Sequence, residues 1–350
     1  LSGTPVLVAN LTGSANTAAS IEVTSLAWST DGARLAYRAD AEFNNQAHLY
    51  VVPTDGSSTT PKELVGPANK DLAVTAGLAW ANATTLFFAG DLVTNNVTNL
   101  YFVDATAAVP SATGVLTEAT LNASTKNVKG SVQRGSDGRI YFRSSHELTS
   151  KNSLYSCAAD GTGVTKVAGA VVLSSMNVQA DITAFRLSHN GASVAFTANA
   201  ESDGLDQLYA MTLDAAAPSK RSAFTKPVDA TTAGLFGGSL NSLEWSPDGS
   251  KVAVVGDWAL LDNEYALYVL SATGATSSTR LLVPPTNANQ NVDAVWFSSD
   301  GQRVLVLGDL VVNNDTELYA ITDFTAADQT PTTVRVVSAA GGDVDGAFAH

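Results

Sequence analysis

The sequence predicts an all-β chain, a ring of six four-stranded antiparallel blades, and three observations carry that expectation. A Leu-Tyr pair recurs six times, as Leu49-Tyr50, Leu100-Tyr101, Leu154-Tyr155, Leu208-Tyr209, Leu267-Tyr268 and Leu318-Tyr319. Successive tyrosines lie 51, 54, 54, 59 and 51 residues apart, and a fixed period of this size marks a repeat architecture. A hairpin dipeptide, Asp-Gly or Asn-Gly, stands ahead of five of the pairs, at Asp31-Gly32, Asp137-Gly138, Asn190-Gly191, Asp248-Gly249 and Asp300-Gly301; such turns need residues that tolerate positive φ. Between these marks Val, Ile, Thr, Tyr and Phe fill short runs, and nothing longer than a turn or two has helical periodicity.

The first repeat shows how each element is assigned. Residues 23–28 are an apolar, β-branched and aromatic run, 29–32 a turn, and 34–38 the start of a second strand. A polar loop at 40–47 leads to a third strand at 48–52, and Thr54-Asp55-Gly56 turns toward a fourth at 63–65. The other five repeats superpose on this one, the second with Asn82-Ala83-Thr84 at its first turn. The units are bounded at 20–66, 76–119, 127–168, 180–225, 240–283 and 291–338. A unit of about 54 residues cannot bury a face alone, so the units must stack or close on one another. Radial closure into a β-propeller leaves only short protected edges. Residues 5–11 and 343–350 look like additional strands, an outer one without a blade before it and an inner one without a blade after it. Six blades with a spare strand at each end, a seven-bladed ring, and a piece of a larger ring all remain open at this point.

Trp28-Ser-Thr-Asp31-Gly32, Trp245-Ser-Pro-Asp248-Gly249 and Phe297-Ser-Ser-Asp300-Gly301 are each followed by an apolar strand and then by a Leu-Tyr strand. This pattern, over roughly residues 20–338, resembles the Pro-Asp-Gly repeats of TolB-like propellers, relatives of WD-repeat proteins. The second, third and fourth units depart from it at Ala79-Trp80-Ala81-Asn82, Gln133-Arg134-Gly135-Ser136 and Arg186-Leu187-Ser188-His189. The resemblance implies a propeller. It implies no single activity, because propellers serve as enzymes, receptors and scaffolds.

The net charge of −14 argues against a nucleic-acid partner, which needs a basic surface. One stretch runs the other way: Lys126, Lys129, Arg134, Arg139, Arg143 and Lys151 face only Asp137 and Glu147, and they are expected to pair with neighbouring acidic blades or to offer an anion-binding patch. No run approaches a membrane span, no signal peptide is evident, and Leu1 without Met suggests a trimmed product. With 15% charged residues and abundant Ser, Thr, Asn, Ala and Gly, the composition suits a bacterial secreted, periplasmic or cell-surface protein, monomeric or a module of a larger one. The lone Cys157 excludes an internal disulfide framework and reads as a small buried apolar side chain.

The most suggestive chemistry stands at the end of the second strand of each unit, where Asp40, Asp91, Ser145, Asn199, Asp257 and Asp309 align. Two loops continue with alternating oxygen donors, Asp40-Ala-Glu42-Phe-Asn44 and Asn199-Ala-Glu201-Ser-Asp203, which resemble a shortened calcium loop with ligands at positions one, three and five. Metal ligands are therefore expected, if anywhere, at Asp40, Glu42, Asn44, Asn199, Glu201 and Asp203, with Ca2+ as the cofactor. The alternative is that the leading residue caps its own loop as an Asx-turn. In the remaining loops Val93, Ala259 and Val311 replace the middle donor, so Asp91, Asp257, Trp258 and Asp309 are candidates for direct ligand contact instead. The long connections at 66–75, 169–179, 226–239 and 283–291 share this side, and binding residues concentrate on such loops. Trp28, Trp80 and Trp245 are expected to pack between blades.

Catalytic residues are not evident. His48, His146, His189 and His350 do not converge, and there is no Gly-x-Ser-x-Gly elbow. The histidines are expected to be satisfied surface groups. The sequence thus favours a non-catalytic propeller that binds a protein, peptide or glycan on its loop-rich face. A polysaccharide lyase or glycosidase using channel carboxylates, and a structural calcium-binding module of a larger surface protein, are the alternatives.

Overall fold

The structure is a computed structural model and describes residues 23–43, 46–66, 74–116, 121, 127–147, 151–168, 181–198, 207–213, 222–224, 240–256, 265–272, 278–282, 292–310, 316–324 and 335–337. Every regular element among them is a β-strand, as expected for an all-β chain. The segments 5–11 and 343–350 lie outside the described residues. The chain divides into two compact units, Leu1–Gly169 and Ala170–His350.

The first unit holds three sheets. Sheet one is β1 (Val23–Trp28), β2 (Arg34–Phe43), β3 (Gln46–Pro53) and β4 (Lys62–Val65). Sheet two is β5 (Val74–Trp80), β6 (Thr85–Gly90), β7 (Asn99–Asp104) and β8 (Thr113–Gly114), and sheet three is β9 (Val128–Arg134), β10 (Ile140–Ser144), β11 (Ser153–Cys157) and β12 (Thr165–Ala168). The second unit holds sheet four, β13 (Ile182–Leu187), β14 (Ser193–Ala198), β15 (Gln207–Thr212) and β16 (Ser222–Phe224). Sheet five follows as β17 (Leu240–Trp245), β18 (Lys251–Gly256), β19 (Ala266–Ser271) and β20 (Ser278–Leu282), and sheet six as β21 (Val292–Phe297), β22 (Val304–Gly308), β23 (Glu317–Ile321) and β24 (Arg335–Val337). In each sheet the four strands pair antiparallel in chain order.

Strand alternation explains the repeated Leu-Tyr pair. Adjacent residues on a strand point to opposite faces, so the leucine enters one face of its sheet and the tyrosine the other. Leu49, with Ala36 and Val51, packs against Trp80, Phe88 and Tyr101 of sheet two. Leu100, with Phe87 and Ala89, packs against Phe142 and Tyr155 of sheet three. In the second unit Leu208 meets Trp245 and Tyr268, and Leu267 meets Phe297 and Tyr319. Within each unit, then, the leucine face of one sheet receives the tyrosine face of the next. Small and aliphatic side chains meet large aromatic ones, which fills the space to interior density. Ring pairs bridge the second and third strands on the tyrosine face, with centroids 5.7 Å apart in Phe88–Tyr101, 5.8 Å in Phe142–Tyr155 and 5.4 Å in Phe196–Tyr209. Offset pairs of this kind contribute about 0.5–1.5 kcal/mol beyond area burial.

Indoles and cations add directed bonds between sheets. Trp80 Nε1 donates to Ala27 O at 2.9 Å, and Trp245 Nε1 to Arg186 O at 3.0 Å. Arg134 stands at the tryptophan position of sheet three, and its Nε donates to Ala81 O at 2.8 Å. Trp28 departs from the expectation for the three tryptophans: Trp80 and Trp245 are buried, but Trp28 is 61% exposed. Two arginines of the cationic stretch of sheet three depart as well. Arg134 and Arg139 are bound mainly to backbone carbonyls, the latter at Ser156 O and Gly163 O, while Lys166 pairs with Glu147. Carbonyls, rather than acidic side chains of neighbouring sheets, hold these two arginines. Cys157 is fully buried in the core between sheets two and three, and burial pushes its thiol up to about 12.

Candidate functional site

The two ends of each sheet are built differently. At the first-turn end a serine and an aspartate close the hairpin through side-chain bonds. Ser246 Oγ donates to Asp248 Oδ1 at 2.6 Å and accepts from Lys251 N at 2.9 Å, while Asp248 Oδ1 accepts from Ser250 N at 2.9 Å. The same bonds recur at Ser29 with Asp31 and at Ser298 with Asp300, and Asn190 replaces the aspartate beside Ser188. Gly249 takes φ +70° there, a conformation a side chain would strain. The hydroxyl and amide bonds hold the Asp248 carboxyl down to about 2. This is the physical content of the Ser-x-Asp-Gly signature.

The other end carries the second-to-third connections and, by the antiparallel order, the entry of the first strand and the exit of the fourth. Here the first strand of all six sheets has an irregular register. The shifts fall at Val23/Ser25, Val74/Ala76, Ile182/Ala184, Leu240/Ser242 and Val292/Ala294, and in sheet three opposite Phe142/Arg143. The residue after the first aliphatic one is the extra residue in five of them: Thr24, Thr75, Thr183, Asn241 and Asp293. Bulges commonly re-aim side chains at the rims of sheets. Sequence reasoning missed this feature, although its signal is legible as an aliphatic residue followed by a polar one in Val23-Thr24, Val74-Thr75, Val128-Lys129, Ile182-Thr183, Leu240-Asn241 and Val292-Asp293. In sheet two the irregularity also brings Gly77 so close to sheet three that a Cβ would stand 2.7 Å from Val132 N.

Asp91 shows what a residue at the end of the second strand does. It is buried, and its Oδ2 accepts from Asn96 N at 3.0 Å, closing the loop between β6 and β7. Asn96 takes φ +61°, Val97 N donates to Thr94 O at 3.0 Å, and Val97 is buried. Thr98 N donates to Asn127 Oδ1 at 2.9 Å, tying the loop to the start of sheet three. Between these anchors residues 93–96 are exposed, Val93 at 63%. Ser145 is also turned inward: its N–H donates to Asn127 O at 3.0 Å and its Oγ accepts from Asn127 N at 3.0 Å.

Asp40 is buried and lies inside β2, which runs on to Phe43 where a loop was expected from residue 40. Glu42 lies on the same strand two residues further on, and Asn44 is outside the described residues. Asn199, Glu201, Asp203, Asp257 and Trp258 are outside them too. Asp309 stands after β22 and is half-buried. It raises the carboxyl of Asp293, the bulge residue of the same sheet, whose first cause of elevation is its own partial desolvation. Among the described residues no group of three or more His, Cys, Asp and Glu side chains has the arrangement of a metal site.

The histidines do not converge among the described residues, but they are not all surface groups. His48 is buried, with Nδ1 2.6 Å from Glu63 Oε1 and its ring stacked near Tyr50. His189 is exposed and 3.5 Å from the buried Glu244, which also binds Arg186 at 2.9 Å.

No family model matches the chain, and no curated protein matches it. Solved structures do. Prolyl oligopeptidase B from Galerina marginata is similar with TM-score 0.54 and 13% identity over 91% of this chain and 42% of that one. An oligogalacturonate lyase in complex with manganese gives TM-score 0.54 and 15% identity over 85% and 76%. The oligogalacturonate lyase of Vibrio parahaemolyticus gives 0.50 and 14% over 84% and 73%. The chain spans about two-fifths of the length of the prolyl peptidases it matches. At such identities the likeness is one of fold. Four-stranded antiparallel sheets docked face on face, with these neighbours, make the fold a β-propeller.

Proposed function

We propose that this chain is a non-catalytic, TolB-like propeller of six blades that works outside the cytoplasm and binds a protein, peptide or glycan through the loop-bearing ends of its sheets. One observation carries the reading: the 91–98 loop is anchored at both ends by buried groups and still presents Val93 and three polar neighbours to solvent. A loop already fixed in one conformation loses little entropy on binding. Spending Asp91 on Asn96 N–H supports a capping role for this strand-end residue. A peptide and glycan array tests the proposal. The chain should retain a defined set of ligands, and a variant with residues 92–96 replaced by Gly-Ser should lose them; retention by that variant, or an array without any ligand, contradicts it.

A hydrolytic or eliminative reading draws on the placement of the exposed bulge residue Asp293 and of Asp309 at the same end of sheet six, where partial desolvation and then the charge of Asp309 raise the Asp293 carboxyl. Two carboxylates at one end of a sheet suit proton donation and abstraction at a glycosidic centre. Incubation with neutral and uronate oligosaccharides decides between the two: turnover that disappears in Asp293→Asn replaces the binding proposal, and no turnover leaves the pair structural.

A further inference from the structure

A cavity of about 430 Å³ lies at the first-turn end of sheets one and two, away from the second-to-third loops. Its lining includes Val51 and Ala105, buried members of the core between these sheets, so its inner wall is the apolar edge of that core. Arg34 and Lys62, both half-buried, line it too. Arg34 Nη1 donates to Ala83 O at 3.0 Å, and Lys62 Nζ donates to Ala105 O at 3.1 Å and to Ala107 O. Neutral carbonyls of sheet two therefore fix both cations. Among the described residues the one carboxylate within salt-bridge range of either is the exposed Asp31, 3.9 Å from Arg34. Asp104 is lowered first by Thr106, to which its Oδ1 is bonded, and last by the charge of Lys62. Since a guanidinium carries five N–H donors and an ammonium three, the carbonyls leave donors over on both.

We propose that this cavity is a second binding site, for a small organic monocarboxylate whose charged end meets Arg34 and Lys62 and whose apolar body rests on Val51, Pro53 and Ala105. Hydrogen bonds from cations to a carboxylate are among the strong ones. Because carbonyls already hold both side chains in place, a ligand does not have to order them. The volume falls within the range of small-molecule sites, which combine an apolar lining with a few fixed polar groups. The mouth is shaped by the turn between β3 and β4, which is bonded to itself. Ser58 Oγ accepts from Thr60 N at 3.2 Å and donates to Thr60 O at 3.3 Å, while Asp55 Oδ1 accepts from Ser57 N at 2.9 Å. Asp55 is exposed there and repels a second negative charge, which favours a monoanion over a dicarboxylate.

Titration of the full chain with isovalerate and benzoate, and with the uncharged isovaleramide and benzamide, followed by NMR, tests the site. The acids should bind saturably, and the amides more weakly by roughly tenfold or more, the value of a hydrogen bond to a charged group. This comparison uses the wild-type chain, so it stands whether or not a variant folds. Lys62→Gln should weaken the acids by a similar factor, Lys62→Arg should retain them, and Lys166→Gln, on sheet three, should leave them unchanged. Asp55→Asn should strengthen the binding of succinate. Amides that bind as well as the acids overturn the proposal, as does the absence of saturable binding by both acids. Equal losses in Lys62→Gln and Lys166→Gln also overturn it, because the attraction is then one of overall charge.

Discussion

At the scale of single residues, the Ser-x-Asp-Gly turn links sequence to pH response. The Asp248 carboxyl is held down to about 2 by Ser246 and Ser250, and Asp31 and Asp300 are lowered by their own serines first. A carboxyl with a depressed folded-state pKa stabilises the fold above its unfolded value of 3.8, and that contribution disappears as the pH falls through the folded value. Thermal melts of wild type and Asp248→Asn should therefore differ at pH 6 and converge toward pH 2; a constant gap contradicts the assignment. Asp293 has the opposite sign. Its elevation is a stabilising contribution present at low pH and lost as the pH rises through the raised value. Asp293→Asn should raise the melting temperature at pH 7 and leave it unchanged near pH 2, and a loss at pH 7 would show that the charged form is favoured instead.

At the scale of strands and sheets, the Leu-Tyr pair sets which side chains meet. Leu267 is fully buried between sheets five and six, and Tyr268 is buried between sheets four and five. Leu267→Ala should cost about 2–5 kcal/mol, measured by urea unfolding, and a cost below about 1 kcal/mol would mean that the two sheets do not share a core. The strands and their order were legible in the sequence because period-two alternation and turn residues are local signals. So was the inward role of Trp80 and Trp245. The exposure of Trp28 was not, since an identical motif is buried or open according to what lies beside its sheet. The length of β2 was also hidden: Asp40-Ala-Glu-Phe has loop-like polarity, yet it pairs with β3 through Phe43 and Gln46. Nor did the residue pattern show that Asp91 would bind Asn96, a contact that depends on Asn96 taking a positive φ.

At the scale of the whole molecule, the proposal is that the sheets display binding loops such as the anchored 91–98 loop. Asp91 and Ser145 bond backbone groups at their strand ends, and if the other strand-end residues do the same a chelator should leave the melting midpoint unchanged; a fall on chelation would signal a bound ion, because a ligand specific to the folded state stabilises it by mass action. Sheet two offers the sharpest internal comparison for the binding function, since it exposes an apolar residue at each end: Val93 between β6 and β7, and Val109 between β7 and β8. The deciding measurement is the affinity of an array-identified ligand for Val93→Asp and Val109→Asp, both of which alter exposed side chains. Binding lost in the first and kept in the second is the predicted result. Binding kept in the first, or lost only in the second, would contradict the assignment of the binding surface to the loop-bearing end.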